Sequence, residues 1–256
     1  MAYISVCKLC NSENVELRAS HIIPEFLFKN VYTSKHKFMP IEADVTGGKV
    51  HQKGFRENLL CQGCETKLSL WERELSLFIR FLSDGKGNVF SLTTLGDNTV
   101  VEGFNYDLVK KALISILWRM SISTLQFFSD YDVGSYEEKL RNWLDQGLPF
   151  DVQDYPILVS KGYISGTYQT GLLMPITQGS YGKHIKMESV VLDGIIFDFL
   201  LTEGNVIPSE VELFSLHPES RVIIRNKEYS EYGIDLSSFS RRVNDKDVLD
   251  FFSKHD

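Results

Sequence analysis

The chain has 256 residues, of which 43% are hydrophobic and 24% charged, the balance of a globular protein able to bury a sizeable core. A net charge of −7 excludes a protein coated in basic surface. The longest apolar runs are broken by Arg119, Asp193 and Asp198, which argues against membrane-spanning helices. Residues Met1 to Ser5 carry neither the basic start nor the apolar run of a signal peptide, and a cytoplasmic location is expected.

In chain order, the first signal is Cys7-Lys8-Leu9-Cys10, matched by Cys61-Gln62-Gly63-Cys64. All four cysteines of the chain sit in these two C-x-x-C pairs. A C-x-x-C turn lets two thiolates face one ion, and two such turns complete a four-sulfur tetrahedron that suits zinc. Four sulfurs leave no open position, so the Zn2+ is expected to be structural. Four unrelated buried cysteines are the bland alternative, and a redox pair fits less well because neither motif follows a βαβ pattern.

Between the knuckles, Val15 to Arg18 reads as extended, Pro24 opens a helical turn at Glu25 to Lys29, and residues 33–56 read as a hairpin or long loop. The span Lys29 to Arg56 holds six basic residues against the acidic Glu42 and Asp44. Lys35, Lys37, Lys53 and Arg56 are therefore candidates for phosphate contact, with a plain solvated loop as the alternative. From Leu68, the apolar positions Leu68, Trp71, Leu75, Phe78 and Leu82 recur at steps of three and four, which predicts one stripe of a long helix ending near Gly85.

Beyond this, Val89 to Leu92 and Thr99 to Val101 read as strands around Gly96-Asp97-Asn98. Asp107 to Phe128 is apolar on nearly every side, as a buried helix would be, and Tyr136 to Gln146 is a short amphipathic helix closed by Gly147. From Pro156 short β-type runs alternate with Gly, Pro and Ser, which predicts an antiparallel sheet, and Asp245 to Lys254 reads as a closing helix. His184, His217 and His255 have no partners at metal spacing and are expected at the surface. The fold class expected is α+β, divided into a zinc-binding unit at 1–84 and an α+β unit at 85–256.

C-x-x-C, then Ser20-His21-Ile22-Ile23-Pro24, then Glu57-Asn58-Leu59-Leu60-Cys61-x-x-Cys64-Glu65 before a helix resembles the HNH endonuclease family over residues 7 to 75. The resemblance implies a treble-clef, ββα-metal core that hydrolyses phosphodiester bonds, most often of DNA. It makes His21 the general base that takes a proton from the attacking water, a task suited to imidazole because its pKa lies near working pH. It makes Asn58 the residue that orients that histidine or pins the loop. It places Mg2+ or another divalent cation between Ser20 and Glu65, where the carboxylate is a good oxygen ligand and the neutral serine a poor one. His36 or His51 could supply a further ligand. Each of these residues has a plainer reading: His21 as packing, Asn58 as a turn cap, and Glu65 as a carboxylate favoured by a helix N-terminus.

The stretch Ile114 to Arg119 resembles regions that accompany such motifs in bacterial proteins, some of them tied to phage defence. Residues 85–256 would then bind a protein partner or a second copy. The alternative to a nuclease is a zinc-stabilised module that binds nucleic acid or protein through a decayed site.

Overall fold

The computed structural model describes residues 2–38, 50–85, 90–129, 131–182, 185–202 and 207–232. The tip of the basic loop, Val89 and the helix expected at Asp245 to Lys254 lie outside the described residues. The fold is mixed, with two sheets and four α-helices among the described residues.

A three-stranded antiparallel sheet comes first, built from β1 (Tyr3–Ser5), β2 (Val15–His21) and β3 (Arg56–Cys61) in that spatial order. Between β2 and β3 the chain makes a 3-10 turn at Glu25–Phe28, opened by Pro24. It then forms the arms of a hairpin closed by mutual main-chain hydrogen bonds between Phe38 and His51 of 2.9 and 2.8 Å. Cys61 leads straight into α1 (Gln62–Asp84). The expected stripe of Leu68, Trp71, Leu75, Phe78 and Leu82 is buried throughout. Gly85 ends the helix at φ 61°, a left-handed conformation that glycine adopts without steric cost, and its N–H bonds Phe81 O.

The strand expected at Val89 to Leu92 is displaced toward its turn. The hairpin is β4 (Ser91–Leu95) on β5 (Asn98–Glu102), whose register places Leu95 opposite Asn98. Helix α2 (Tyr106–Ile122) is capped by the Asn105 side chain on Leu108 N–H and is buried on nearly every side. It is shorter than the apolar run suggests. Glu57 captures Ser123 Oγ together with the N–H and hydroxyl of Thr124, so Ser123 turns extended and the helix stops. A 3-10 turn at Gln126–Phe128 follows, and then α3 (Glu137–Gln146), closed by Gly147.

The second sheet adds β6 (Ile157–Ile164), β7 (Thr167–Tyr168), β8 (Leu173–Tyr181), β9 (Ile185–Leu192), β10 (Ile195–Leu201) and β11 (Arg221–Glu228), with α4 (Ser209–Phe214) between the last two strands. Its order is β4-β5-β11-β6-β10-β9-β8, with β7 on β6. All pairings are antiparallel except β11 on β6, which is parallel, so the expected antiparallel sheet holds with one exception. Strand β10 is buried along its whole length. Ile195, Phe197, Phe199 and Leu201 join the main core, while Ile196 and Leu200 serve two smaller clusters that include Tyr229 and Val211.

The main core is continuous from Cys7 to Ile224, so side chains on both sides of position 84 pack together. Polar ties reinforce it. Asn30 Nδ2, Ser83 Oγ and Gly171 N all donate to the Asp193 carboxylate at 2.9 to 3.2 Å, and Arg141 Nη1 donates to Leu9 O at 3.0 Å. Among the described residues no helix is long and apolar enough to cross a membrane.

Candidate metal centre and catalytic face

Cys7 and Cys10 lie in the turn after β1, Cys61 ends β3, and Cys64 sits in the first turn of α1. The two elements meet because Lys8 N bonds Leu59 O at 2.9 Å and Cys61 N bonds Cys7 Sγ at 3.3 Å. The four sulfurs all lie within 4.8 Å of one another, with Cys7–Cys64 at 3.7 Å and Cys10–Cys61 at 3.9 Å. A tetrahedron with Zn–S bonds of about 2.3 Å has edges of about 3.8 Å. These two separations match that edge, and the tetrathiolate arrangement suggests a structural zinc. Burial, with the Cys7 sulfur alongside, pushes the Cys64 thiol up, a crowding that a bound cation relieves by holding the sulfurs as thiolates.

The far end of the β2–β3 pair carries the remaining candidates. Ser20 is fully buried, and its hydroxyl donates to Glu65 Oε1 at 2.5 Å. The two positions expected to flank a divalent ion are thus adjacent. The hydroxyl proton is already committed to the carboxylate, however. His21 follows on the strand, and neighbouring side chains on a strand leave opposite faces. Ser20 turns to α1, and His21 turns to the 3-10 turn, where its Nε2 lies 3.0 Å from Glu25 Oε2. His21 is register partner to Arg56, and Asn58, opposite Ala19, shares that face two positions along β3. Asn58 sits inside the strand rather than in a turn, is exposed, and forms no side-chain hydrogen bond among the described residues.

Glu25 gathers this face. Its Oε1 accepts from Tyr32 OH at 2.6 Å, its Oε2 accepts from Gly54 N at 3.3 Å, and Arg56 Nη2 stands 3.6 Å away. His36 lies against the Tyr32 ring with its Nε2 3.8 Å from Glu25 Oε1. His51 stacks on Phe38. Neither histidine joins the Ser20–Glu65 pair. Among the described residues the four cysteines form the only group of three or more side chains placed to hold a metal ion. Burial, and then the Arg56 guanidinium, hold His21 below its usual pKa, against the opposing pull of Glu25. Burial works against ionised Glu25, but hydrogen bonds from Tyr32 and Gly54 and the proximity of His21 and Arg56 outweigh it.

Lys37 and Lys53 line one open cleft with Val50, His51 and Gln52. Lys35 lies in the turn just before it, and Arg56 is drawn toward Glu25 instead. His217, expected at the surface, is half-buried against Glu219, while His184 and His255 lie outside the described residues.

Two residues escaped sequence reasoning. Glu25 follows Pro24, and its contacts come from a turn that curls back on the strand. Arg119 is the one charged residue in the apolar stretch Ala112 to Ile122 of α2, which was the available signal, because a buried charge requires partners. It is 2% exposed, donates from Nη1 to His21 O at 2.6 Å, and pairs through Nη2 with Glu72 at 2.7 Å. The chain matches no protein-family model, no curated protein and no solved structure.

Proposed function

We propose that the chain is an HNH-type nuclease, in which a zinc-braced treble clef presents His21 to a phosphodiester of nucleic acid, DNA in the first instance. The observation that carries this reading is the placement of His21. Its ring, a quarter exposed, meets the Glu25 carboxylate at 3.0 Å and stands beside Arg56, its register partner, at the edge of a cysteine-clamped β-pair. The order knuckle, β2–β3, helix with the second cysteine pair at the helix start supports the treble-clef reading.

In the reaction, water loses a proton to the His21 ring while its oxygen bonds to phosphorus. The P–O bond to the sugar oxygen breaks, and the leaving oxygen takes a proton from solvent. Neutral imidazole suits the first transfer because its lone pair is free at the working pH. Arg56, Lys37 and Lys53 supply positive charge for phosphate oxygens.

A divalent cation would stabilise charge on the phosphate when bound. The donor set for it is thin: Glu65 contributes one carboxylate, and Ser20 holds that carboxylate through its hydroxyl rather than facing an ion. Magnesium commonly binds through one or two carboxylates with waters and substrate phosphates, and Glu65 fits that role alone.

The same Ser20 geometry favours a second reading, a module that grips nucleic acid on this face without cutting it. Plasmid nicking with Mg2+, Mn2+ or Ni2+ separates the two. Under the nuclease reading His21→Ala lowers the rate by about 10²–10⁴-fold with zinc content intact. Glu65→Ala also lowers it, and more divalent ion partly offsets the loss. Ser20→Asp places a second carboxylate against Glu65, so the variant should bind the ion more tightly and be less stable without it. A parent that cuts no faster than His21→Ala ends the nuclease reading.

A further inference from the structure

We infer that Glu25 is the positioning residue of the His21 base, accepting the Nε2 proton so that Nδ1 keeps its lone pair for the attacking water. The inference rests on the nuclease reading above and adds to it the orientation of the base.

The carboxylate is anchored before it meets the imidazole. Tyr32 OH holds Oε1 at 2.6 Å and Gly54 N–H holds Oε2 at 3.3 Å, and neither donor depends on His21. The approach of Gly54 is built in. A Cβ there would come within 2.8 Å of the Phe28 ring and 3.1 Å of Glu25 Oε2, so a side chain at 54 would push the carboxylate off its seat. Phe28 itself is buried and packs on Tyr32, Phe38 and Phe55. Glu25 is therefore fixed by packed aromatic rings, a tyrosine and a main-chain amide.

A carboxylate in this state is only an acceptor. With Nε2 at 3.0 Å from Oε2, the ring proton must sit on Nε2. Among the described residues Nδ1 has no hydrogen-bond partner, and a quarter of the side chain is exposed. The main chain of His21 is held separately by Arg119 on its carbonyl, itself fixed by Glu72. The charged groups facing His21 are thus Glu25 from the 3-10 turn, Arg56 from β3, Glu72 from α1, and Arg119 from α2. Of these, Glu25 alone contacts the ring through a hydrogen bond.

The test uses the full chain with its zinc. Imidazole nitrogen NMR on the parent reads the tautomer without any substitution, and Nε2–H is expected. Glu25→Gln keeps the shape but can offer an N–H to Nε2, which moves the ring proton to Nδ1. Nicking kcat should then fall on the order of 10²–10⁴-fold, with KM unchanged and the NMR signature switched. Glu25→Asp keeps an acceptor and should retain the Nε2–H tautomer with part of the rate.

A parent in the Nδ1–H tautomer, or a Glu25→Gln variant that cuts at the parent rate, overturns the role of Glu25 and leaves the nuclease reading standing. A parent that does not cut overturns the nuclease reading, and the role of Glu25 in catalysis goes with it, whatever the tautomer. If both variants lose zinc and unfold, the parent tautomer still decides.

Discussion

Arg119→Met should weaken the whole fold by loosening His21 from α2. The guanidinium is 2% exposed and has four attachments: Glu72 Oε1 at 2.7 Å, His21 O at 2.6 Å, Ser115 O at 3.2 Å and Ser115 Oγ at 3.3 Å. Methionine keeps most of the apolar stem but leaves Glu72 without its cation. Removing one member of a buried pair costs about 3–5 kcal/mol. Glu72 is 21% exposed, so water recovers part of its solvation and the lower end applies, about 3 kcal/mol. For a chain of this size that corresponds to a fall in Tm of roughly 6–12 °C. Calorimetry on the parent, Arg119→Met, Glu72→Gln and the double variant gives both the loss and the coupling. The double variant should recover about 1–3 kcal/mol relative to the sum of the single changes. A Tm drop below about 3 °C, or no coupling, would refute the idea that this pair pins the base to the second helix.

Zinc analysis should find one ion per chain, and Cys61→Ser should lose both the ion and the folded β2–β3 region, since binding energy in such a site is folding energy; an ion-free but fully folded parent would contradict this. Lys110 is wholly buried against Tyr106 and Phe150, and burial, despite Asp154 and Asp151, lowers its pKa from 10.5 to about 7. Between those values the unfolded chain binds the extra proton, so stability should rise with pH from about 7 toward 10.5, and urea titrations of Lys110→Met should show that rise flattened. Replacing Lys35, Lys37 and Lys53 with Glu should lower the log–log salt slope of DNA binding by roughly 2–3, near one unit per lost phosphate contact. An unchanged slope would place the contact surface elsewhere.

Local signals made much of this legible. The two C-x-x-C pairs announced the sulfur cluster because a turn of that length brings two thiolates to one ion. The period of Leu68, Trp71, Leu75, Phe78 and Leu82 announced α1 because a helix repeats its face every three to four residues. What escaped was set by partners distant in sequence. The apolar run after Asp107 carries no stop signal of its own, and α2 ends where Glu57, 66 positions before Ser123, takes the hydroxyl. The parallel partner of β6 is equally invisible, since nothing in Arg221 to Glu228 states which edge it will join. At the candidate site the sequence named His21, Ser20 and Glu65, and the structure brings Ser20 and Glu65 together. The Glu25 contacts depend on Gly54 and Tyr32 closing round a 3-10 turn, which spacing alone does not encode.

The position of β11 has a consequence for the order in which the chain can fold. It lies between β5 and β6, so the β4–β5 hairpin and the meander of β6, β10, β9 and β8 are not neighbours until it arrives. During synthesis, β5 leaves the ribosome well before its partner, and at ordinary elongation rates the wait is on the order of ten seconds. For that interval β5 presents an unpaired edge, and Val101, fully buried in the finished protein, lacks its opposite number Val222. Slow, late closure of a long-range pairing is the step at which chains stick to one another. Chaperone demand and inclusion-body formation should therefore track substitutions in the last described strand, Arg221 to Glu228, more closely than changes in the sulfur-bound start of the chain.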